Sequence, residues 1–340
     1  MTAQATDARP LLAVEELDVV LGRGWQANHV LSDVNLNIWP GEIVGLVGET
    51  GSGKTTLARA VVGLIRPRNG RIVFDGTEVS RLRGGARRRE RRSGHVQLIF
   101  QDPLRSLDPD LTVAQIVGEG LAIRGGIGSQ EIRSRVEGAL VKVGLDSTVL
   151  HRQPGQISGG QRQRVSIARA LASDPSLLLC DEPVSALDAS NRNYILRLLS
   201  ELRDTLDLPI VIISHDLSSL AGIADRVVVL YRGRILEDGP VSQVFSAPRH
   251  PYTALLMASA PSVKHDRPLS IQQLRRTAAD PPPPSASSAC VFAARCPFAI
   301  DSCAEQPALV PVAPDWSAAC HRHEEWAELA RSRTSAARKG

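Results

Sequence analysis

None of the apolar runs in this 340-residue chain approaches the roughly 18 residues that a membrane-spanning helix requires. No basic-then-apolar leader pattern is visible at the N-terminus. If the chain helps to move anything across a membrane, the pore is expected to be another polypeptide. Aromatic residues make up only 4% of the chain, and none lies in its most basic stretch, Arg81 to Arg92. Nucleic-acid bases would find nothing to stack on there. A solvated face is the first reading of that run, contact with anionic lipid headgroups the second and nucleic acid the third. The formal net charge of +4 argues neither for nor against a polyanionic partner. Arginine supplies nearly all the positive charge, a mark of GC-rich coding more than of function. Cysteine is scarce, five residues, and four of them fall in one stretch near the C-terminus. At this length there is room for one α/β domain and an appendage.

What the chain does contain is a phosphate-cradling loop: Gly48, Glu49, Thr50, Gly51, Ser52, Gly53, Lys54 and Thr55. The apolar run 42–47 before it suits a buried parallel strand. Gly48, Gly51 and Gly53 let the backbone wrap tightly with its N–H groups pointing inward. Thr55 and Thr56 then open a helix to about Val62, whose N-terminus favours an anion. In such a loop Lys54 reaches the β- and γ-phosphates, and the Thr55 hydroxyl ligates Mg²⁺.

Three further strand patterns end in polar groups. The run 175–180 delivers Asp181 to the metal and Glu182 to the attacking water, which it orients or deprotonates. The run 209–214 is followed by His215, placed to donate to the γ-phosphate at the end of an open sheet where ligands bind. The run 95–100 is followed by Gln101, placed to sense Mg²⁺ or the water.

Ile157-Ser158-Gly159-Gly160-Gln161 completes the set. Ser158 is a good N-cap and Gln161 closes a capping-box pattern, ahead of apolar residues at helical spacing. Together, residues 48–55, Gln101, 157–161, Asp181-Glu182, Ser185 to Asp188 and His215 resemble the nucleotide-binding subunit of an ATP-binding-cassette (ABC) transporter, over about residues 12–245. Ile157 in place of the usual leucine is the one departure in the signature.

The resemblance implies an α/β fold. Its core is a P-loop, RecA-like nucleotide-binding domain with an antiparallel β subdomain and a helical subdomain at about 111–172. It further implies that two cassettes close face to face on two ATP molecules. Ser158, Gly159, Gly160 and Gln161 would then meet the nucleotide of a second ATPase subunit, with Ser158 and Gly160 in contact, while Asp188 couples the two sites. The expected cofactors are ATP and Mg²⁺, the latter held by Thr55, Asp181 and Gln101. These domains stack an aromatic ring on the adenine, and Leu21 or Trp25 stands in that region here.

The turn-rich stretch Gln101 to Pro109 is where, in the family, two transmembrane permease subunits insert short cytoplasmic helices. Substitutions at Arg105 or Leu107 are accordingly expected to uncouple hydrolysis from transport. The location implied is peripheral, at the cytoplasmic face of the cell membrane. The third partner is an extracytoplasmic substrate-binding protein, reached through the complex.

After Gly239 the sequence resembles the oligopeptide/dipeptide/nickel importer branch, through Pro248-Arg-His-Pro-Tyr-Thr-Ala-Leu-Leu256. The expected layout is a disordered 1–10, the ATPase domain at 11–245, a small Cys-rich extension at 246–326 and a frayed tail at 327–340. Cys180 reads as a small apolar residue on a buried strand. The other four run Cys290-x5-Cys296-x6-Cys303-x16-Cys320. Disulfides do not suit a chain that consumes ATP in a reducing compartment. Zinc remains open, with His321 and His323 adjacent, as does an iron–sulfur cluster. Some members of the branch carry a [4Fe–4S] cluster on matching cysteines, so the resemblance favours that group, with zinc as the alternative. The implied activity is ATP hydrolysis driving peptide uptake. The alternatives are nickel or another solute of the same branch, or a soluble ABC ATPase outside transport.

Overall fold

The computed structural model describes residues 9–337 except 23, 25, 26, 186, 218, 260–268, 279, 285 and 287, with backbone alone over 334–337. The chain divides into two compact units. The first comprises residues up to Asn28, Asn35–Val44 and Thr55–Ile213, and the second His29–Val34, Gly45–Lys54 and everything from Ser214.

The first unit begins with β1 (Leu12–Leu21), while β2 (Asn28–Ile38) and β3 (Ile43–Val47) contribute residues to both units. Helix α1 (Lys54–Val61) is followed by β4 (Asn69–Phe74), which pairs antiparallel with β1, and β5 (Thr77–Glu78), which extends that pair. Next come α2 (Gly84–Ser93), β6 (Val96–Ile99), α3 (Pro103–Ser106), α4 (Val113–Arg124), α5 (Ser129–Lys142), α6 (Gly159–Leu171), β7 (Leu177–Asp181), α7 (Ala189–Leu206) and β8 (Ile210–Ser214). β6, β7 and β8 are parallel, with Val96 opposite Leu177 and Leu178 opposite Ile210. Every residue of β7 and β8 is buried, as near-continuous apolar runs require in a sheet covered on both faces. Parallel pairing brings the C-terminal ends of these strands to one edge, and with them Gln101, Asp181 and Glu182.

The expected helical region is α4, α5 and α6. Thr112 and Gln115 close a capping box at the start of α4, and Val113, Ile116, Val117 and Leu121 form its buried stripe. Gly118 permits the close crossing with α5, since a Cβ there would lie 3.1 Å from Ile132 Cγ2 and 3.3 Å from Val136 Cγ2. The Arg-rich run is helical as α2 and buries none of its residues, consistent with a solvated face.

The second unit is built on an antiparallel pair, β9 (Arg226–Tyr231) and β10 (Arg234–Pro240). Helices α8 (Val241–Ser246), α9 (Pro251–Ser259) and α10 (Ile271–Leu274) follow, then β11 (Val310–Ala313), β12 (Trp316–Ala318) and α11 (Trp326–Ala337). β12 pairs with β10, and β11 with β12. The C-terminal extension thus continues the β9–β10 sheet instead of starting at residue 246 as a separate body.

Glu237 organises that continuation. It is fully buried and accepts hydrogen bonds from the N–H groups of Arg249 (2.7 Å) and His250 (3.0 Å) and from Trp316 Nε1 (3.0 Å). Burial pushes its carboxyl up to about 7, against the pull of those donors.

The tail corrects a second expectation. Residues 327–337 are helical, not frayed. Trp326 and Ala330, one turn apart, are 1% and 0% exposed, and Trp326 Nε1 donates to the Arg249 carbonyl at 3.0 Å. Arg333 closes on Asp280 at 2.6 Å. Composition suggested fraying; the i, i+4 spacing of the two buried residues decides otherwise. Of the expected disordered segment 1–10, residues 1–8 fall outside the described residues while Arg9 pairs with Asp75 at 2.8 Å. Of the linker running to Pro284, residues 260–268 fall outside them while 271–274 are helical as α10.

Candidate functional site

In the second unit the phosphate loop closes on its own lysine. Lys54 is buried, and its Nζ donates to the carbonyls of Gly48 (2.7 Å) and Glu49 (2.9 Å) and to Ser52 Oγ (3.3 Å). Gly53 has φ +109°, and a Cβ there would lie 2.7 Å from Leu31 Cδ2 and 3.0 Å from the Val30 carbonyl. At Gly48 a Cβ would run into the Leu230 carbonyl oxygen. Thr50 and Gly51 form the exposed tip. The Glu49 side chain pairs with Arg295, whose hydrogen bonds hold its carboxyl below the usual range. His215 lies exposed beyond the end of β8.

In the first unit, Thr55 Oγ1 lies 3.2 Å from Asp181 Oδ1. Asp181 is buried, while Thr55 and Thr56 are half-buried. A hydroxyl and a carboxylate at that separation are the hard oxygen donors that Mg²⁺ takes. Glu182 adopts φ +49°, uncommon for a non-glycine residue, with its N–H bonded to the Ile213 carbonyl at 3.0 Å. Its Oε2 accepts from Gln101 Nε2 at 2.6 Å, so two side chains 81 positions apart meet. Thr55, Asp181 and Gln101 share an open cavity of about 910 Å³ with Arg59, Arg105 and Ile123.

The signature helix starts as its sequence dictates. Ser158 Oγ accepts from the Gln161 N–H (3.2 Å) and Gln161 Oε1 from the Ser158 N–H (2.9 Å). Ile157 is buried, which accommodates the exchange from leucine. Ser158 and Gly159 are exposed, but Gly160 is buried against Asn191, where a Cβ would meet Oδ1 at 2.5 Å and Cγ at 3.0 Å. Ser158 and Gly159 are thus the exposed part of this turn, and Gly160 is the position where it packs against α7.

Asn191 was not visible as a functional residue in the sequence. It is also capped by Asp188, the N-cap of α7: Asp188 Oδ1 accepts from the Asn191 N–H (2.9 Å), and Oδ2 from Asn191 Nδ2 (2.7 Å). Those bonds, the backbone one foremost, together with the Ser190 hydroxyl at 2.6 Å, hold Asp188 well below the ordinary carboxylate range. One asparagine thus joins the signature turn to the acid expected to couple two sites.

The docking stretch is also sorted by burial. Asp102 caps α3 through the Leu104 N–H (2.9 Å). Leu107 is 2% exposed and belongs to the core, so its substitution reports on folding, contrary to the expectation that it meets a partner. Leu104, 61% exposed, is the apolar residue actually presented, next to an open Arg105. From the signature helix, Arg169 Nη1 reaches the Ser106 carbonyl at 2.7 Å, giving this loop a direct link to α6. Leu21 ends β1 half-exposed, and Trp25 lies outside the described residues.

Cys290, Cys296, Cys303 and Cys320 line one small cavity of about 20 Å³, with His250, Phe292 and His321. All four thiols are free of disulfides. Burial pushes Cys296 and Cys320 up to about 12 and raises Cys290, and the neighbouring thiols add to each rise while backbone N–H donors oppose it. Among the described residues no group of three or more His, Cys, Asp or Glu side chains could hold a metal ion. His321 and His323 are engaged by the carbonyls of Glu305 and Cys320, both at 3.1 Å. The donor type suits a thiolate-bound group, but the spacing suits no single ion, and the cavity is water-sized. Cys180 is fully buried on β7, with its thiol raised by burial, as expected of a core residue.

Two family models match the chain: ABC transporter over residues 31–185, and oligopeptide/dipeptide transporter, C-terminal region, over 236–303. A provisionally named peptide import ATP-binding protein of Brucella ovis is 44% identical over 315 residues, covering 92% of this chain and 98% of that protein. The oligopeptide transport ATP-binding protein OppF of Salmonella typhimurium is 38% identical over 317 residues, 90% of this chain and 94% of its own. Among solved structures, the dimeric post-hydrolysis state of the ATP-binding cassette MJ0796, bound to ADP and Pi, is similar with a TM-score of 0.62. The two are 30% identical, over 68% of this chain and 98% of that one.

Proposed function

Because this chain belongs to the ABC transporter family, among its peptide-import ATP-binding proteins, we propose how its own residues turn ATP hydrolysis into peptide uptake. The chain is the ATP-hydrolysing subunit of a peptide importer. The observation that carries this is near end-to-end similarity to peptide-import ATP-binding proteins, through both the ATPase region and the peptide-branch C-terminal region.

In this reading Lys54 and the N–H groups of residues 48–54 hold the phosphates, as a glycine-rich loop before a helix does. Thr55 and Asp181 hold Mg²⁺ with Gln101 beside them, and the ion supplies charge neutralisation at the phosphate oxygens. Glu182 takes the proton of the attacking water, oriented by the bond from Gln101. His215 donates to the γ-phosphate. Ser158, Gly159, Gly160 and Gln161 meet the nucleotide of a second ATPase subunit, Ser158 and Gly160 in contact, with Asp188 and Asn191 setting their position.

Membrane subunits dock at Leu104 and Arg105, and the cavity shared by Arg105, Gln101 and Asp181 supports a route from docking to the catalytic residues. No helix among the described residues is long and apolar enough to cross a membrane; the similarity to peptide-import ATP-binding proteins is what supports a peripheral place on the cytoplasmic face, with a substrate-binding protein on the other side. The test is the complex purified with its membrane subunits. Peptide should stimulate its ATPase, and Leu104→Asp should cut that stimulation about tenfold, a loss of roughly 1.4 kcal/mol of docking. Undiminished transport in Leu104→Asp rules out the docking assignment.

We further assign Cys290, Cys296, Cys303 and Cys320 to a [4Fe–4S] cluster in preference to zinc. What supports the cluster is the donor type, four thiols lining one cavity, and the match to the importer branch; among the described residues no three side chains converge where an ion could be held. Loading requires the thiols to move outward from a water-sized space. Anaerobically purified protein is expected to carry stoichiometric iron and visible charge-transfer absorbance, both lost in Cys296→Ser. Iron-free protein without that absorbance overturns the assignment.

A further inference from the structure

The phosphate loop is braced by residues far downstream in the sequence. Arg295 Nη1 and Nη2 donate to the two carboxylate oxygens of Glu49, at 2.8 and 2.9 Å, across 246 positions. This is a planar fork meeting a planar fork. The Arg295 guanidinium lies 5.6 Å from the Tyr231 ring centre and 5.7 Å from that of Phe292, which fixes its plane. The Glu49 N–H donates to the Tyr252 hydroxyl at 2.9 Å. Tyr231, Tyr252 and Phe292 form a three-ring cluster with centres 4.4 to 5.5 Å apart, so both braces stand on one rigid base. Glu49 is held at its main chain by Tyr252 and at its side chain by Arg295. Its own carbonyl meanwhile accepts from Lys54 Nζ at 2.9 Å and from the Ser52 N–H at 3.1 Å.

Two physical problems make such a brace useful. A loop with three glycines is costly to hold in one shape, and order supplied beforehand need not be supplied on binding. A glutamate in a triphosphate-binding loop also repels its ligand unless its charge is met. Arg295 meets it, leaving the charge of Lys54 for the phosphates.

We propose that Arg295 and Tyr252 are positioning residues of the ATPase, which lend the C-terminal extension control of nucleotide affinity through Glu49. The inference rests on the ATP-binding reading of residues 48–55 and adds to it a part for the extension.

The test is nucleotide titration of the full-length chain with MgATP and MgADP, with steady-state kinetics and the thermal midpoint of nucleotide-free protein. Arg295→Met should weaken binding about tenfold, with KM rising more than kcat falls. Tyr252→Phe should weaken it by about threefold. Removing the stranded charge should restore affinity, so Arg295→Met/Glu49→Gln should bind more tightly than Arg295→Met alone. A simple anchor for the extension would give no such rescue. If Arg295→Met does not fold, Arg295→Lys and Arg295→Gln replace it, and affinity should survive better in the lysine variant. Unchanged affinity in folded Arg295→Met, a lowered thermal midpoint with unchanged affinity, or equal affinities for the lysine and glutamine variants would overturn the proposal. Wild-type protein that fails to bind ATP at all refutes instead the reading on which it rests.

Discussion

Glu182→Gln is expected to lower ATP turnover by about 10²- to 10⁴-fold while leaving nucleotide binding intact, the range for removing a positioned general base. The carboxylate accepts from Gln101 Nε2 at 2.6 Å, and its backbone holds φ +49° with the N–H tied to the Ile213 carbonyl. Glutamine matches the shape, and its carbonyl oxygen still accepts from Gln101. What it cannot do is take a proton from water. The variant should therefore fold normally, bind ATP and keep it. Phosphate release and bound-nucleotide analysis read the two effects separately, and size-exclusion chromatography with ATP should show a two-cassette species that outlasts that of the wild type. Turnover within about twofold of wild type would remove Glu182 from the role.

Lys54→Ala is expected to abolish useful nucleotide binding, by about 10²-fold or more. Each charged hydrogen bond lost is worth roughly 1.5–3 kcal/mol, and the ammonium makes several. The effect has two sources. One is the loss of charge at the phosphates. The other is internal, because Nζ ties together the Gly48 and Glu49 carbonyls and Ser52 Oγ, and alanine leaves those acceptors without it. Lys54→Arg should not rescue, since the site buries Lys54 to 6% exposure and a planar guanidinium differs in shape from an ammonium. Calorimetric titration with MgADP measures the loss. Binding within about threefold of wild type in Lys54→Ala would mean the lysine is structural alone.

The parts of the site that depend on neighbours in sequence were legible. Ser158 and Gln161 are three residues apart and form the capping box that their spacing predicts. The apolar runs ending at Asp181 and Ser214 are the fully buried parallel strands they resemble. Leu107 and Leu104 could not be told apart, because two leucines in one turn-rich stretch differ only in which way the short helix α3 points them. The same limit hid α11, whose Ala/Arg/Ser composition reads as a tail until the burial of Trp326 and Ala330 is known. Asn191 is an ordinary residue on an amphipathic helix until Gly160 and Asp188 lie beside it.

By itself the sequence determined the phosphate loop, the signature turn and the strand-end carboxylates, while the branch of the family rested on resemblance alone. The loop, the turn and the strand ends are local patterns, set by the pitch of a strand or helix, by the conformational freedom of glycine, or by a cap three residues away. Tertiary structure alone decided that Gln101 meets Glu182, that Asn191 serves both Gly160 and Asp188, and that Arg295 grips Glu49. These pairings close loops of up to 246 residues. Nothing in the residues nearby specifies them, because the energy that fixes the partner comes from packing around the contact, such as the three rings beneath Arg295, and not from the chain beside it.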